Sequence, residues 1–145
     1  MMEQITTGII TTGSVLMFAY WFRYTCLLIL SAKTPCDYAA DLVQATGLRV
    51  VEVQSKLRTD RTIDLAELHA ALELDYSLIQ SLLQRAMGEQ AILENRMLQI
   101  HYRINHIWYR ISRVLSATAA RQALDEMSMV VMHFANIAGE NKAAA

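Results

Sequence analysis

The sequence predicts an all-α protein, built as an N-terminal transmembrane helix followed by an antiparallel helical bundle. Three observations predict it. One proline and five glycines in 145 residues leave few turn signals, whereas Ala, Leu, Met, Gln and Arg, which favour long helices, are abundant. An uncharged stretch of eighteen residues runs from Ile5 to Phe22. Beyond it, apolar residues recur at the three- and four-residue steps of a helix face. Hydrophobic residues make up 54% of the chain and mean hydropathy is +0.22, above a typical soluble domain, so part of the chain is expected to meet lipid. The expected organisation is a membrane anchor over 1–33, a cytoplasmic helical bundle over 34–138 and a disordered tail over 139–145.

The anchor rests on length. Eighteen residues rise roughly 27 Å as a helix, about the hydrocarbon thickness, and Cys26 to Leu30 give slack for tilt. Thr6, Thr7, Thr11, Thr12 and Ser14 lower the hydropathy, but their hydroxyls can bond carbonyls of the same helix, leaving none unpaired in lipid. Tyr20, Trp21, Arg23 and Tyr24 form the expected interfacial belt. A cleavable signal peptide needs a basic leading region, yet only Glu3 is charged before the apolar run. Basic residues follow the segment, at Arg23, Lys33 and Arg49, which places the N-terminus outside the cell membrane and the body in the cytoplasm. A buried core helix in a soluble protein is the competing reading of this stretch.

Thr34 and Pro35 suit an N-cap and first helical position, with Asp37 at the positive end of the helix dipole. That helix carries Tyr38, Leu42 and Ala45 and reaches Gly47, a natural C-terminal stop or a tolerated weak point. Leu48, Val51 and Leu57 continue as a helix or, through Val50, Val51 and Val53, as a short extended stretch. After the polar break Asp60-Arg61-Thr62-Ile63-Asp64, the residues Leu65, Leu68, Leu72, Tyr76, Ile79, Leu82 and Ala86 mark an amphipathic helix ending at Gly88. Leu93, Met97, Ile100, Ile104, Ile107, Ile111 and Val114 then alternate steps of four and three. This heptad seam asks for a covering helix, from the preceding segment or from another copy. A last helix is expected from about Thr118 to Ile137, with Leu124, Met127, Val131, Phe134 and Ala138 inward, before Gly139.

The chemistry-bearing patterns are sparse. The net charge of −1, from 13 basic and 14 acidic residues, offers no general attraction to nucleic acid. Cys26 and Cys36 suit neither a disulfide framework nor a zinc site. Di-metal bundles use Glu-x-x-His pairs, and none of His69, His101, His106 and His133 has a carboxylate at that offset. Gly-x-Ser-x-Gly and Gly-rich phosphate loops are absent. The reading is therefore non-enzymatic, with no cofactor or metal; a haem- or metal-bearing electron-transfer bundle is the alternative.

Two features stand above this background. Arg96, Arg103 and Arg110 repeat every seven residues beside the seam, where they can meet an acidic partner, lipid phosphate, or Asp64, Glu67, Glu73 and Asp75 of the preceding helix. Pairing with those acids, or solvation, is the expected arrangement. Ile100, Ile104, Ile107 and Trp108, with the three arginines, are the candidate partner-binding residues for a protein partner or homo-oligomer. Second, the run from Leu65 to Leu83 resembles a helix-turn-helix unit with Leu72-Glu73-Leu74 as its turn. The resemblance implies a membrane-tethered DNA-binding regulator reading bases through Ser77, Gln80, Ser81 and Gln84. The family has Gly where Glu73 stands, so a continuous helix is the expected outcome. The leading function is a membrane-anchored helical scaffold or accessory subunit that works by helix–helix contact.

Overall fold

The computed structural model describes residues 1–31, 38–59, 64–86 and 92–144, and all of its regular structure is helical. Six helices follow in order: α1 (Met2–Ser31), α2 (Tyr38–Thr46), α3 (Val50–Thr59), α4 (Leu65–Ala86), α5 (Ile92–Leu115) and α6 (Ala117–Ala144). No strand occurs among the described residues. The chain divides into two compact units, Met1–Ala32 and Lys33–Ala145.

The first unit is α1 alone. At 30 residues it rises about 45 Å, and it is long and apolar enough to cross a membrane. Residues 1–21 are all exposed, with Ile5, Ile9, Ile10, Leu16 and Phe18 on no single face. Three of its threonines bond back as expected. The hydroxyls of Thr6, Thr7 and Thr11 donate to the carbonyls of Met2, Glu3 and Thr7 at 2.9, 2.8 and 2.8 Å. These three hydroxyls are thus satisfied within their own helix, as an apolar medium requires.

The second unit is organised around α6, which packs against α2, α3, α4 and α5. Its sequence explains why. Leu124, Met127, Val130, Val131, Phe134 and Ala135 are fully buried, and the small Ala120, Ala123 and Ala138 let neighbours approach on several sides. The five residues expected inward on this helix are all buried. The helix does not stop at Gly139. It continues to Ala144, because the alanines of the C-terminal stretch have high helix propensity and one glycine costs only about 1 kcal/mol in a helix.

The bundle has one helix more than the sequence spacing suggests, because Gly47 separates α2 from α3. Its φ of 70° is the left-handed conformation that ends helices, and its N–H donates to the Val43 carbonyl at 2.9 Å. Of the alternatives beyond Gly47 the helical one holds from Val50 to Thr59, with Leu48, Val50, Val53 and Leu57 buried. A helix of ten residues is marginal alone, and here other helices complete both its ends. The Asp75 carboxylate of α4 accepts from the Arg49 N–H at 2.7 Å, and Arg121 of α6 donates to the Leu57 carbonyl at 3.0 Å. The start proposed at Thr34 and Pro35, and the stop at Gly88, lie outside the described residues, as does Cys36.

α4 runs unbroken through Leu72-Glu73-Leu74, so the helix-turn-helix resemblance does not extend to the fold. The Ser77 and Ser81 hydroxyls bond the carbonyls of Leu74 and Leu78 within the same helix. Asp64 starts α4, accepting from the Ala66 N–H at 3.0 Å. Contacts between α4 and α5 pair His69 with His106, Tyr76 with Tyr102 and Gln80 with Gln99. The rising numbers on α4 meet falling numbers on α5, so the two helices are antiparallel. Only Ser116 joins α5 to α6; its carbonyl accepts from the Ala120 N–H at 3.1 Å.

Candidate functional site

α5 is oriented against its own hydrophobic pattern. The residues it buries are Asn95, Leu98, His101, Tyr102, Asn105, Tyr109 and Ser112, a largely polar set. The seam lies on the opposite side, roughly 150° around the helix at about 100° per residue. Ile100, Ile104, Ile107 and Ile111 are 50%, 51%, 58% and 48% exposed. Leu93, Val114 and Leu115 are more exposed still, and Trp108 at 49% stands beside them. The preceding helix therefore does not cover the seam. Four β-branched isoleucines and an indole facing outward form a continuous apolar face, the kind of surface that marks an interaction site.

Arg96, Arg103 and Arg110 flank this face on the side towards α4 and are exposed. Of the two expected arrangements, pairing with α4 acids does not form, because those acids are engaged elsewhere, and the arginines are solvated. Glu67 meets Arg49 at 3.8 Å, Asp75 caps α3, Asp64 caps its own helix, and Glu73 turns to two histidines. Among the described residues, the three arginines make no ion pair. Tyr20, Trp21 and Tyr24 of α1 are exposed, the first and last stacked with centroids 6.4 Å apart, and Arg23 sits among them.

The inward polar face of α5 holds a second arrangement. His69 and Glu73 stand one turn apart on α4, and His106 reaches across from α5. His106 Nδ1 lies 2.9 Å from Glu73 Oε1 and 3.0 Å from His69 Nε2, and His69 Nε2 lies 3.8 Å from the same carboxylate oxygen. These three could hold a metal ion. Tyr109, 1% exposed, stacks on His69 with centroids 4.4 Å apart at 19°, holding that ring in place. Burial pushes the His69 imidazole below its ordinary range, Glu73 opposes this, and the charges of His106, Arg113 and Arg110 reinforce it.

Glu73 and His106 also line a cavity of about 320 Å³ with Tyr76, Tyr102 and Arg103. Tyr76 and Tyr102 stack nearly parallel, centroids 3.8 Å apart at 3°. Burial raises the pKa of both phenols, so they stay protonated at neutral pH. The Tyr102 hydroxyl is buried without a hydrogen-bond partner. Further along, His101 Nε2 lies 3.4 Å from Glu126 Oε2 and 3.1 Å from Asn105 Nδ2.

The structure thus brings the seam and the arginine ladder together on one exposed face. The His69, Glu73 and His106 cluster escapes a search for Glu-x-x-His. Its one local signal is His69-x-x-x-Glu73, a spacing that also puts two side chains on one helix face. No protein-family model, curated protein or solved structure matches the chain.

Proposed function

We propose that this protein is a membrane-anchored accessory subunit, whose bundle binds an amphipathic helix of a neighbouring protein along the outer face of α5. One observation carries the reading: α5 turns its polar residues inward and leaves Ile100, Ile104, Ile107 and Ile111 outward. Half exposed, each of these side chains forgoes roughly half of the about 1.5 to 3 kcal/mol that full burial supplies, an arrangement that suits a surface covered in an assembly. The occupant is a helix with carboxylates beside its apolar stripe. Such a helix would supply the charges that Arg96, Arg103 and Arg110 lack. Antiparallel pairing of two α5 helices would instead set arginine against arginine, and parallel pairing would bring no carboxylate to them.

In this reading α1 spans the cell membrane with its N-terminus outside, the body lies in the cytoplasm, and Tyr20, Trp21, Arg23 and Tyr24 sit at the interface. The role is positional rather than catalytic. The test is the mass of the particle purified from native membranes in mild detergent. Ile104→Asp with Ile107→Asp, and separately Arg103→Glu with Arg110→Glu, should each reduce it by loss of the same partner while helix content is kept. An unchanged mass in the isoleucine double variant removes the face as a docking surface, and a wild-type particle containing only copies of this chain removes the acidic partner. Carbonate extraction and tag accessibility in vesicles test the anchor and its orientation.

A further inference from the structure

We propose that His69, Glu73 and His106 form a binding site for a divalent transition-metal ion of the zinc class, with its open coordination positions towards the Tyr76, Tyr102 and Arg103 cavity. The assignment is independent of what docks on the outer face of α5. It stands first on distances. Ligand atoms about 2.0 to 2.1 Å from a common ion lie roughly 2.9 Å apart at octahedral angles and 3.4 Å apart at tetrahedral angles. The three separations here are 2.9, 3.0 and 3.8 Å, so small side-chain adjustments place all three atoms on one ion.

The second ground is proton accounting. His106 Nδ1 is within hydrogen-bond distance of both Glu73 Oε1 and His69 Nε2, yet one ring nitrogen carries at most one proton. If that proton points to Glu73, two imidazole nitrogens still face each other with a shared, bent hydrogen bond at best. If His69 Nε2 carries a proton instead, the approach of His106 Nδ1 to the carboxylate oxygen sets lone pair against lone pair. A proton on each of the two nitrogens sets N–H donor against N–H donor. A metal ion accepts all three lone pairs at once and removes the conflict.

The donor set names the ion. Two imidazoles and one carboxylate match borderline ions such as zinc, whereas magnesium and calcium take oxygen donors. Three protein ligands leave a position for water or a small anion, the pattern of open zinc sites. Two of the ligands line the cavity of about 320 Å³, and the buried, unpartnered Tyr102 hydroxyl lies in the same wall. The Arg103 guanidinium there, together with the Arg110 and Arg113 charges near His69, disfavours a bare dication. That balance favours a small oxygen anion as the fourth ligand.

The test uses the full chain in detergent, stripped of metal with chelator and then titrated. Zn²⁺ is followed by calorimetry and Co²⁺ by visible absorption, with Mg²⁺ as control. The expected result is one equivalent of Zn²⁺ or Co²⁺ bound and no uptake of Mg²⁺. His106→Asn and Glu73→Gln should each weaken binding by more than about tenfold, the lower end of what loss of a supporting group alone produces, while His133→Gln leaves it unchanged. Far-UV circular dichroism checks the fold of each variant. Glu73 is half exposed, so Glu73→Gln keeps the test informative should His106→Asn disturb packing. Stoichiometric binding unaffected by Glu73→Gln, a thiolate charge-transfer band in the cobalt spectrum, or no binding to the wild-type chain would each overturn the assignment.

Discussion

α5 and α6 are neighbours of similar length joined by a single residue, yet they solve opposite problems. α6 buries Leu124, Met127, Val130, Val131 and Phe134 completely and is the helix on which the others assemble. α5 has the sharper apolar stripe and keeps it outside, giving the interior Asn95, His101, Asn105 and Ser112 instead. The contrast teaches that amphipathic strength and burial are separate properties. A helix contributes to a core through the face it turns inward, and on α5 that face is largely polar, with Asn105 bonded to the His101 ring and carbonyl.

The comparison can be broken at either helix. Phe134→Ala on α6 should produce the largest effect, a loss of about 3 to 5 kcal/mol in unfolding free energy, measured by chemical denaturation in detergent. Asp75→Ala removes the acceptor that completes the start of α3 and should cost about 1 to 3 kcal/mol. Hydrogen exchange should then be faster over Val50 to Thr59 than elsewhere.

A pH series separates the two interiors. Burial holds His133 of α6 below the ordinary histidine value of 6.5, with Glu94 opposing. Because the unfolded chain takes up that proton more readily, stability should fall as pH drops from 6.5 through the depressed folded value. His133→Gln should flatten that part of the curve. Asp75 works in the other direction: burial raises its pKa, against the pull of the Arg49 and Val50 N–H groups and the Arg49 charge. The folded chain holds that proton more readily, so its contribution favours the fold at acid pH and is lost as pH rises from 3.8 through the raised value. The smallest effect belongs to the outer face of α5. Ile107→Ala should change the stability of the bundle without its partner by no more than about 0.5 kcal/mol, and a larger loss would mean the face is packed.

Much of this architecture was legible from the residues. The α6 core positions follow from helical spacing alone, and Gly47 was legible as a stop or a weak point, which its φ of 70° resolves as a stop. The α5 stripe was equally legible as a stripe, but its direction was not, since periodicity shows that a face is apolar without naming what covers it. The decision was made elsewhere, by Tyr102 stacking on Tyr76 and by polar partners such as Glu126 beside His101. The arginine ladder is solvated and not paired for a related reason: Glu67 and Asp75 are taken by Arg49 and the start of α3, demands visible only once α3 sits against α4. The His69, Glu73 and His106 cluster depends on the α4 to α5 register, which no local pattern encodes.

Ser116 gives the pair a mechanical character. With one residue between them, α5 has no slack to slide or swing independently, so a load taken on its outer surface passes directly into α6. Through α6 that strain reaches every other helix of the bundle, so a tug at the rim is felt at the hub.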